Sequence, residues 1–402
     1  MYLTDEEKSM LSGERGEMVQ KCMKVLVTLG EIYGAKRMLE INSVHSPGVS
    51  YRVTGDAGLN YVKDASKESC FAVPTTLNNI GIDMHNWEAI GFDPEFVQKQ
   101  MELSEAYREM GAFMSNSCTP YLYGNIPLKG EHVAWGESSA IAFVNSVLGA
   151  RTNREGGPTA LAAAITGRVP EYGLHLDENR KGTYLFKVEV PLKNDTDYAS
   201  MGYYCGAIAG RGIPVFTGIE KRPTLENLKA LSAALASSGA VALYHIIGVT
   251  PEAPTLKAVI DGEVPVYSFG KEEYQKAFET FNYSGAVDFV VFGCPHASIQ
   301  EMKILALLFK DKKVKAETWV CTSHQVKDLA FETGYGQVLE EAGVTIICDT
   351  CPILCPTLDK GYNNVVTNSG KLAHYIRGLW NMKSRLANAE DCMKAAVDGR
   401  LE

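Results

Sequence analysis

The 402-residue sequence has no long apolar run and no excess of positive charge. Its longest apolar stretches, such as residues 240–244 and 289–292, fall far short of the roughly 20 residues a membrane-spanning helix needs. The opening Met1-Tyr2-Leu3-Thr4-Asp5-Glu6-Glu7 is acidic and polar, unlike the basic and apolar start of a secretory signal. Lys and Arg number 39 against 48 Asp and Glu, a formal net charge of −9. Neither nucleic acid nor an anionic membrane is therefore expected as the main partner. Histidines are few and scattered, and no paired C-x-x-C knuckles occur, so zinc stays an alternative without its usual frameworks. Internal repeats and low-complexity segments are absent too. A cytoplasmic location is expected.

What is present is an ordinary globular composition, 46% apolar and 22% charged, long enough for two or three domains with a large core. Ten cysteines without a secretion signal read as reduced thiols or metal ligands rather than a disulfide framework. Thr4 with Glu7 fits a capping box, and Met18, Cys22, Val25 and Leu29 recur at helical spacing. Residues 42–58 read as a long polar loop, 70–73 as a short strand and 94–110 as a helix. The stretch 136–158 is dense in Glu, Ser, Asn, Thr and Gly, residues 160–165 suit a buried helix, and 183–190 alternate as a strand. Thr224 is a candidate cap for a helix over 225–237.

The last ~120 residues alternate strands with helices as a parallel α/β sheet does. Strands are predicted at 287–292, 318–320 and 345–348, with Ser298 capping a helix over 299–309. Cys294, Cys321 and Cys351 then fall beyond strand ends, where parallel sheets bind ligands. Prolines directly after Cys294 and Cys351, and one residue past Cys118-Thr119, hold the preceding backbone away from helix and leave thiols at turns. Converging thiols suit a soft metal or an iron–sulfur cluster. Against this, a free cysteine often simply packs in a core. Cys348-x-x-Cys351 is a weak redox motif, because Cys348 falls inside a strand. Among the histidines, His296 beside Cys294 and His374 stand nearest to these motifs.

The run Cys118-Thr119-Pro120-Tyr121, then Gly136-Glu137-Ser138-Ser139-Ala140 through Asn145 to Arg151-Thr152-Asn153-Arg154-Glu155-Gly156-Gly157-Pro158, resembles the aconitase X family. So do Gly293-Cys294-Pro295-His296, Asp349-Thr350-Cys351 and Thr367-Asn368-Ser369-Gly370-Lys371 with Ala373-His374-Tyr375. The resemblance covers nearly the whole chain. It implies an aconitase-like α/β fold of three α/β domains with parallel or mixed sheets, expected at 1–120, 121–283 and 284–402. The swivelling small domain is lacking and is expected on a separate small subunit. That subunit would also carry the proton-abstracting base, a serine in aconitase itself, so the chain alone should be nearly inactive.

The resemblance further implies an iron–sulfur hydro-lyase that dehydrates a small hydroxy acid. Cys118, Cys294 and Cys351 would hold the cluster, expected as [4Fe-4S] with one open iron, and Cys321, Cys348 and Cys355 would be bystanders. Such an iron polarises a departing hydroxyl. The acidic substrate needs donors, for which Gly48, Val49 and Ser50 (backbone N–H), Asn78, Asn79, Ser138 and Lys371 are the candidates. Glu137 and Ser138 are the candidate catalytic pair, although Glu137 could instead be a structural partner of Arg151 or Arg154. Known family members dehydrate mevalonate 5-phosphate, to anhydromevalonate 5-phosphate, or cis-3-hydroxy-L-proline. Ser50-Tyr51 and Gly55-Asp56-Ala57-Gly58-Leu59 resemble the phosphomevalonate type. The alternative from another class is an iron-binding or redox protein without catalysis, which needs ligands but no substrate pocket.

Overall fold

Local signals fix the first elements of the computed structural model, which describes residues 1–355 and 361–401. The Thr4 hydroxyl accepts the Glu7 N–H at 3.2 Å, and the Glu7 carboxylate accepts the Thr4 N–H at 2.8 Å, opening the helix Asp5–Ser12. The helix Glu17–Ile32 follows and buries Met18, Cys22, Met23 and Leu26. Met18 and Cys22 lie on the expected apolar stripe, whereas Val25 faces solvent and its neighbour Leu26 is buried instead.

The expected loop over 42–58 contains a strand, Val44–Ser46, and the start of a helix, Tyr51–Glu68, bent at Gly55. The strand escapes a sequence pattern because it is three residues long and buried on both faces, including polar His45 and Ser46. Parallel strands Thr75–Leu77 and Ala134–Trp135 flank it. The predicted strand over 70–73 is displaced to Thr75–Leu77, because pairing begins where Val44 N–H donates to the Pro74 carbonyl at 2.9 Å. All three carboxyl ends lie on one edge, followed by Pro47 to Ser50, Asn78-Asn79 and Gly136 to Ser138. A separate antiparallel pair joins Met38–Glu40 to Arg168–Pro170. The expected division at residue 120 thus cuts between strands that pair with each other, and residues 1–170 share their sheets.

The helix Pro94–Glu109 is capped by Asp93, and the buried helix Gly157–Thr166 lies against the first sheet. A second parallel sheet has the order His245–Ile246, Pro214–Thr217, Tyr184–Val188, Val266–Phe269. Against it pack the helices Asp195–Ala209 and Leu225–Gly239, the latter capped by Thr224. These helices approach closely at Gly202 and Gly206, where a Cβ would meet Ala234 and Ser238.

A third, five-stranded parallel sheet has the order Thr345–Cys348, Glu317–Thr322, Phe289–Phe292, Asn364–Thr367, Lys383–Leu386. The strand order reverses between Phe289–Phe292 and Asn364–Thr367, so the crevice for a ligand opens beyond their ends. Those ends lead into Gly293-Cys294 and Asn368-Ser369-Gly370-Lys371. Cys321 lies inside its strand and is fully buried, not at its end as predicted. The last residue of the expected third unit, Glu402, lies outside the described residues.

Candidate active site

Three turns bring three thiols together. Cys118 follows Ser117, whose N–H donates to the Leu77 carbonyl at 3.0 Å, tying this turn to the end of the first sheet. Cys294 follows Gly293 at φ 82°, where a Cβ would run into the Cys321 carbonyl. Cys351 follows the strand Thr345–Cys348 by way of Asp349 at φ 64°. All three are buried and none forms a disulfide.

Burial pushes each thiol up to about 12; the three repel one another in pairs, and Lys371 opposes the rise at each. Backbone N–H groups also point at sulfur, from His296 to Cys118 Sγ at 3.3 Å and from Ile353 and Leu354 to Cys351. A soft donor set ringed by N–H groups fits an iron–sulfur cluster.

His296 joins the three turns. Its Nδ1 lies 3.0 Å from Ser117 Oγ, and its Nε2 lies 3.0 Å from the Thr350 carbonyl and 2.6 Å from the Asn79 amide nitrogen. Burial lowers this imidazole to about 4, so it is neutral. Beneath the turn, buried Lys229 donates to the His296 carbonyl at 2.8 Å and ion-pairs with Glu301. Burial alone would favour the neutral amine, but Glu301 keeps Lys229 charged.

Next to the thiols lies a buried ion pair, Glu137 with Lys371. Glu137 adopts a left-handed φ of 74° and caps the helix Ser138–Phe143, accepting the Ala140 N–H at 2.8 Å. Lys371 comes from the first turn of the helix Gly370–Trp380, which Ser369 caps. The lysine also donates to Ser139 Oγ at 2.7 Å, and that hydroxyl donates to Glu137 at 3.0 Å. Burial drives the Glu137 carboxyl up, but Lys371 and the N–H groups of Ala140 and Ser139 bring it below its ordinary value. Lys371, which burial would discharge, is held far above its ordinary value by Glu137 and by the thiols Cys294 and Cys118. Both charges persist in the buried site.

The predicted residues distribute unevenly around this centre. Cys118, Cys294, Cys351, Glu137, Lys371 and Asn79 converge. Ser138 opens the capped helix, but the hydroxyl that enters the ion pair belongs to Ser139. Arg151 pairs with Asp177, and Arg154 donates to the Ala240 carbonyl at 2.6 Å, so neither is the partner of Glu137. Asn153 braces the 172–174 turn through Tyr172 and Leu174.

Gly48 turns at φ 74°, where a Cβ would lie 3.3 Å from Gly157 Cα. Val49 is a core residue whose carbonyl accepts from Gln100 at 2.9 Å. The same Gln100 accepts the N–H groups of Tyr51 at 2.9 Å and Gly81 at 3.2 Å, clamping the turn that presents Ser50. Ser50 Oγ, Asn78 Oδ1, Asn79 Oδ1 and Thr350 Oγ1 are buried without a hydrogen-bond partner among the described residues. An unmet buried polar atom costs about 1–3 kcal/mol. Sequence reasoning missed Ser139, Gln100, Lys229 and Glu301. The only signal for any of them was a polar residue on an apolar helix face, as at Gln100 and Lys229.

The chain is similar to known proteins along its whole length. Sequence models of the aconitase X first, second and third domains match residues 1–178, 182–279 and 287–398. The chain is 44% identical over 402 residues to the phosphomevalonate dehydratase large subunit of Methanocaldococcus jannaschii, covering 98% of this chain and all of that protein. It is 35% identical over 405 residues to the cis-3-hydroxy-L-proline dehydratase of Pseudomonas aeruginosa, covering 98% of this chain and 70% of that protein. The crystal structure of Thermococcus kodakaraensis aconitase X in its holo-form superposes with a TM-score of 0.89 at 42% identity, over 98% of this chain and all of that one. With three parallel-sheet units, three convergent thiols and matches along its whole length, the chain belongs to the aconitase X family.

Proposed function

We propose that the chain is the large subunit of an iron–sulfur hydro-lyase that dehydrates mevalonate 5-phosphate to anhydromevalonate 5-phosphate. The observation that carries the reaction class is the charged Glu137–Lys371 pair beside three buried thiols. Iron storage needs the thiols but not the pair. The choice of substrate rests on 44% identity to a phosphomevalonate dehydratase against 35% to a cis-3-hydroxy-L-proline dehydratase. Cys118, Cys294 and Cys351 would hold the cluster, read as a [4Fe-4S] centre with one open iron. When bound, it supplies a Lewis acid for the departing hydroxyl.

The chain's own groups do the rest. Lys371 and the Ser138 hydroxyl hold the acidic substrate, with the amides of Asn78 and Asn79 and the N–H groups of Gly48, Val49 and Ser50 completing the cradle. Glu137, kept ionised by Lys371, accepts a hydrogen bond from the substrate hydroxyl and orients it for departure. The carbon-bound proton goes to a base on a separate small subunit with the swivelling domain. The three domains act as one platform for that subunit in the cytoplasm. No helix among the described residues is long and apolar enough to cross a membrane.

Anaerobic reconstitution of cysteine variants with iron and sulfide tests the ligand set. Cys294→Ala and Cys351→Ala should lose the visible cluster absorbance, while Cys22→Ala, on the helix Glu17–Ile32, and Cys392→Ala, in a separate core, should keep it. Full occupancy in both ligand variants would overturn the assignment.

A further inference from the structure

A second group of ligating side chains lies outside the Cys118–Glu137–Lys371 centre. One carboxylate oxygen each from Asp83 and Asp349 and a ring nitrogen of His324 all lie within 4.8 Å of one another. Both carboxylates are buried, and neither forms an ion pair with Lys or Arg among the described residues. Backbone N–H groups aim them. Asp83 Oδ1 accepts from His85 at 3.1 Å and Asn86 at 2.9 Å, and its Oδ2 accepts from Cys348 at 2.9 Å. Asp349 Oδ2 accepts from Met84 at 3.3 Å and faces His324 Nε2 at 2.8 Å. Two buried negative charges thus face one imidazole, a deficit that a dication closes.

The surroundings supply an independent sign. His324, Asp349, His85 and Asn116 line one cavity of about 920 Å³. Asn116 is 2% exposed, and its Oδ1 has no hydrogen-bond partner among the described residues. Its amide nitrogen touches Met84 Sδ at 3.5 Å, and Met84 is the residue whose N–H meets Asp349. A structural His–Asp hydrogen bond accounts for His324 and Asp349 but leaves this buried carbonyl oxygen unexplained. Mixed carboxylate, imidazole and amide-oxygen donors suit manganese, ferrous iron or zinc rather than a thiophilic ion.

We propose that Asp83, His324 and Asp349, with Asn116 Oδ1 as a fourth donor, bind one divalent first-row cation. The cation replaces the proton between His324 Nε2 and Asp349, and that proton leaves to solvent. Because Asp349 stands two residues before Cys351, the ion staples the Cys351 turn to the 83–86 turn. The site does not depend on the proposed hydro-lyase reaction.

The test titrates the full chain anaerobically with Mn2+ and follows the EPR signal of the free ion, which is lost on binding. One equivalent should bind. His324→Ala, at a partly exposed position that opens a helix, should weaken binding about tenfold or more. Cys294→Ser should leave it unchanged, because Mn2+ disfavours thiolate. Asp83 also holds three backbone N–H groups, so the His324 variant, checked for fold by circular dichroism, is decisive. No stoichiometric Mn2+ binding, unchanged affinity in His324→Ala, or loss of binding in Cys294→Ser would each overturn the proposal.

Discussion

Glu137 does three things with one side chain: it caps a helix, pairs with Lys371 and stands beside the thiols. Removing one member of a buried pair costs about 3–5 kcal/mol, because the other charge stays buried alone. Lys371→Ala should therefore lower the melting temperature and reduce kcat/KM by about 30-fold to several thousand-fold. Glu137→Gln keeps an acceptor for the Ala140 N–H but leaves the Lys371 charge buried without its partner, so it too should melt below wild type, while kcat falls more than KM. Thermal unfolding beside steady-state kinetics reads both, and wild-type melting of Lys371→Ala would count against a buried pair. The neighbouring serines separate cleanly. Ser139→Ala should cost about 1 kcal/mol of stability, whereas Ser138→Ala should leave melting unchanged and show only in kcat/KM. Buried histidines set a pH dependence, His45 and His296 among them. Burial lowers His45 to about 4, so between roughly pH 6.5 and 4 the unfolded chain takes up a proton the folded chain refuses. Stability should fall by on the order of 2–3 kcal/mol as the pH drops through that window. His45→Gln should flatten the fall in a pH series of denaturation midpoints; an unchanged slope would show that other groups dominate.

Among the elements, the three turns at the carboxyl edge of the first sheet fit together like adjacent tiles. Gly136 packs on Pro47 so closely that an added Cβ would enter the ring. Gly136→Ala should force the Pro47 and Glu137 turns apart, with about 1–3 kcal/mol lost to overpacking and a larger loss of activity, read by unfolding and turnover of the same preparation. How far such elements could be read from sequence depended on their chemistry. Phe289–Phe292 and Thr345–Cys348 announced themselves by β-branched and aromatic runs. The helices starting at Asp5, Leu225 and Ile299 did so by their caps, and the one starting at Pro94 by its helical rhythm. Val44–Ser46 did not, because a three-residue strand buried on both faces has no alternation to detect. Tyr51–Glu68 was hidden by Gly55, which breaks its first turn. At the site, the prolines flagged the turns of Cys294 and Cys351, but no spacing rule connects Glu137 with Lys371, 234 residues apart. Cys321 looked equivalent to Cys294 only because its strand runs two residues farther than its β-branched core suggests.

At the scale of the whole molecule, the reversal of strand order in the third sheet places Cys294 and Lys371 on one crevice. The first sheet brings Glu137 and the 47–50 turn to it, and His296 locks the thiol turns together. The proposed reaction leaves one group to a second chain: the base that removes the carbon-bound proton. The most direct measurement is turnover by the anaerobically reconstituted chain, alone and with its small subunit, on mevalonate 5-phosphate and on cis-3-hydroxy-L-proline. Mevalonate 5-phosphate should lose water only when both subunits are present, and cis-3-hydroxy-L-proline should lose little or none. Full activity of the chain by itself, or a preference for cis-3-hydroxy-L-proline, would refute the proposed division of labour or the proposed substrate.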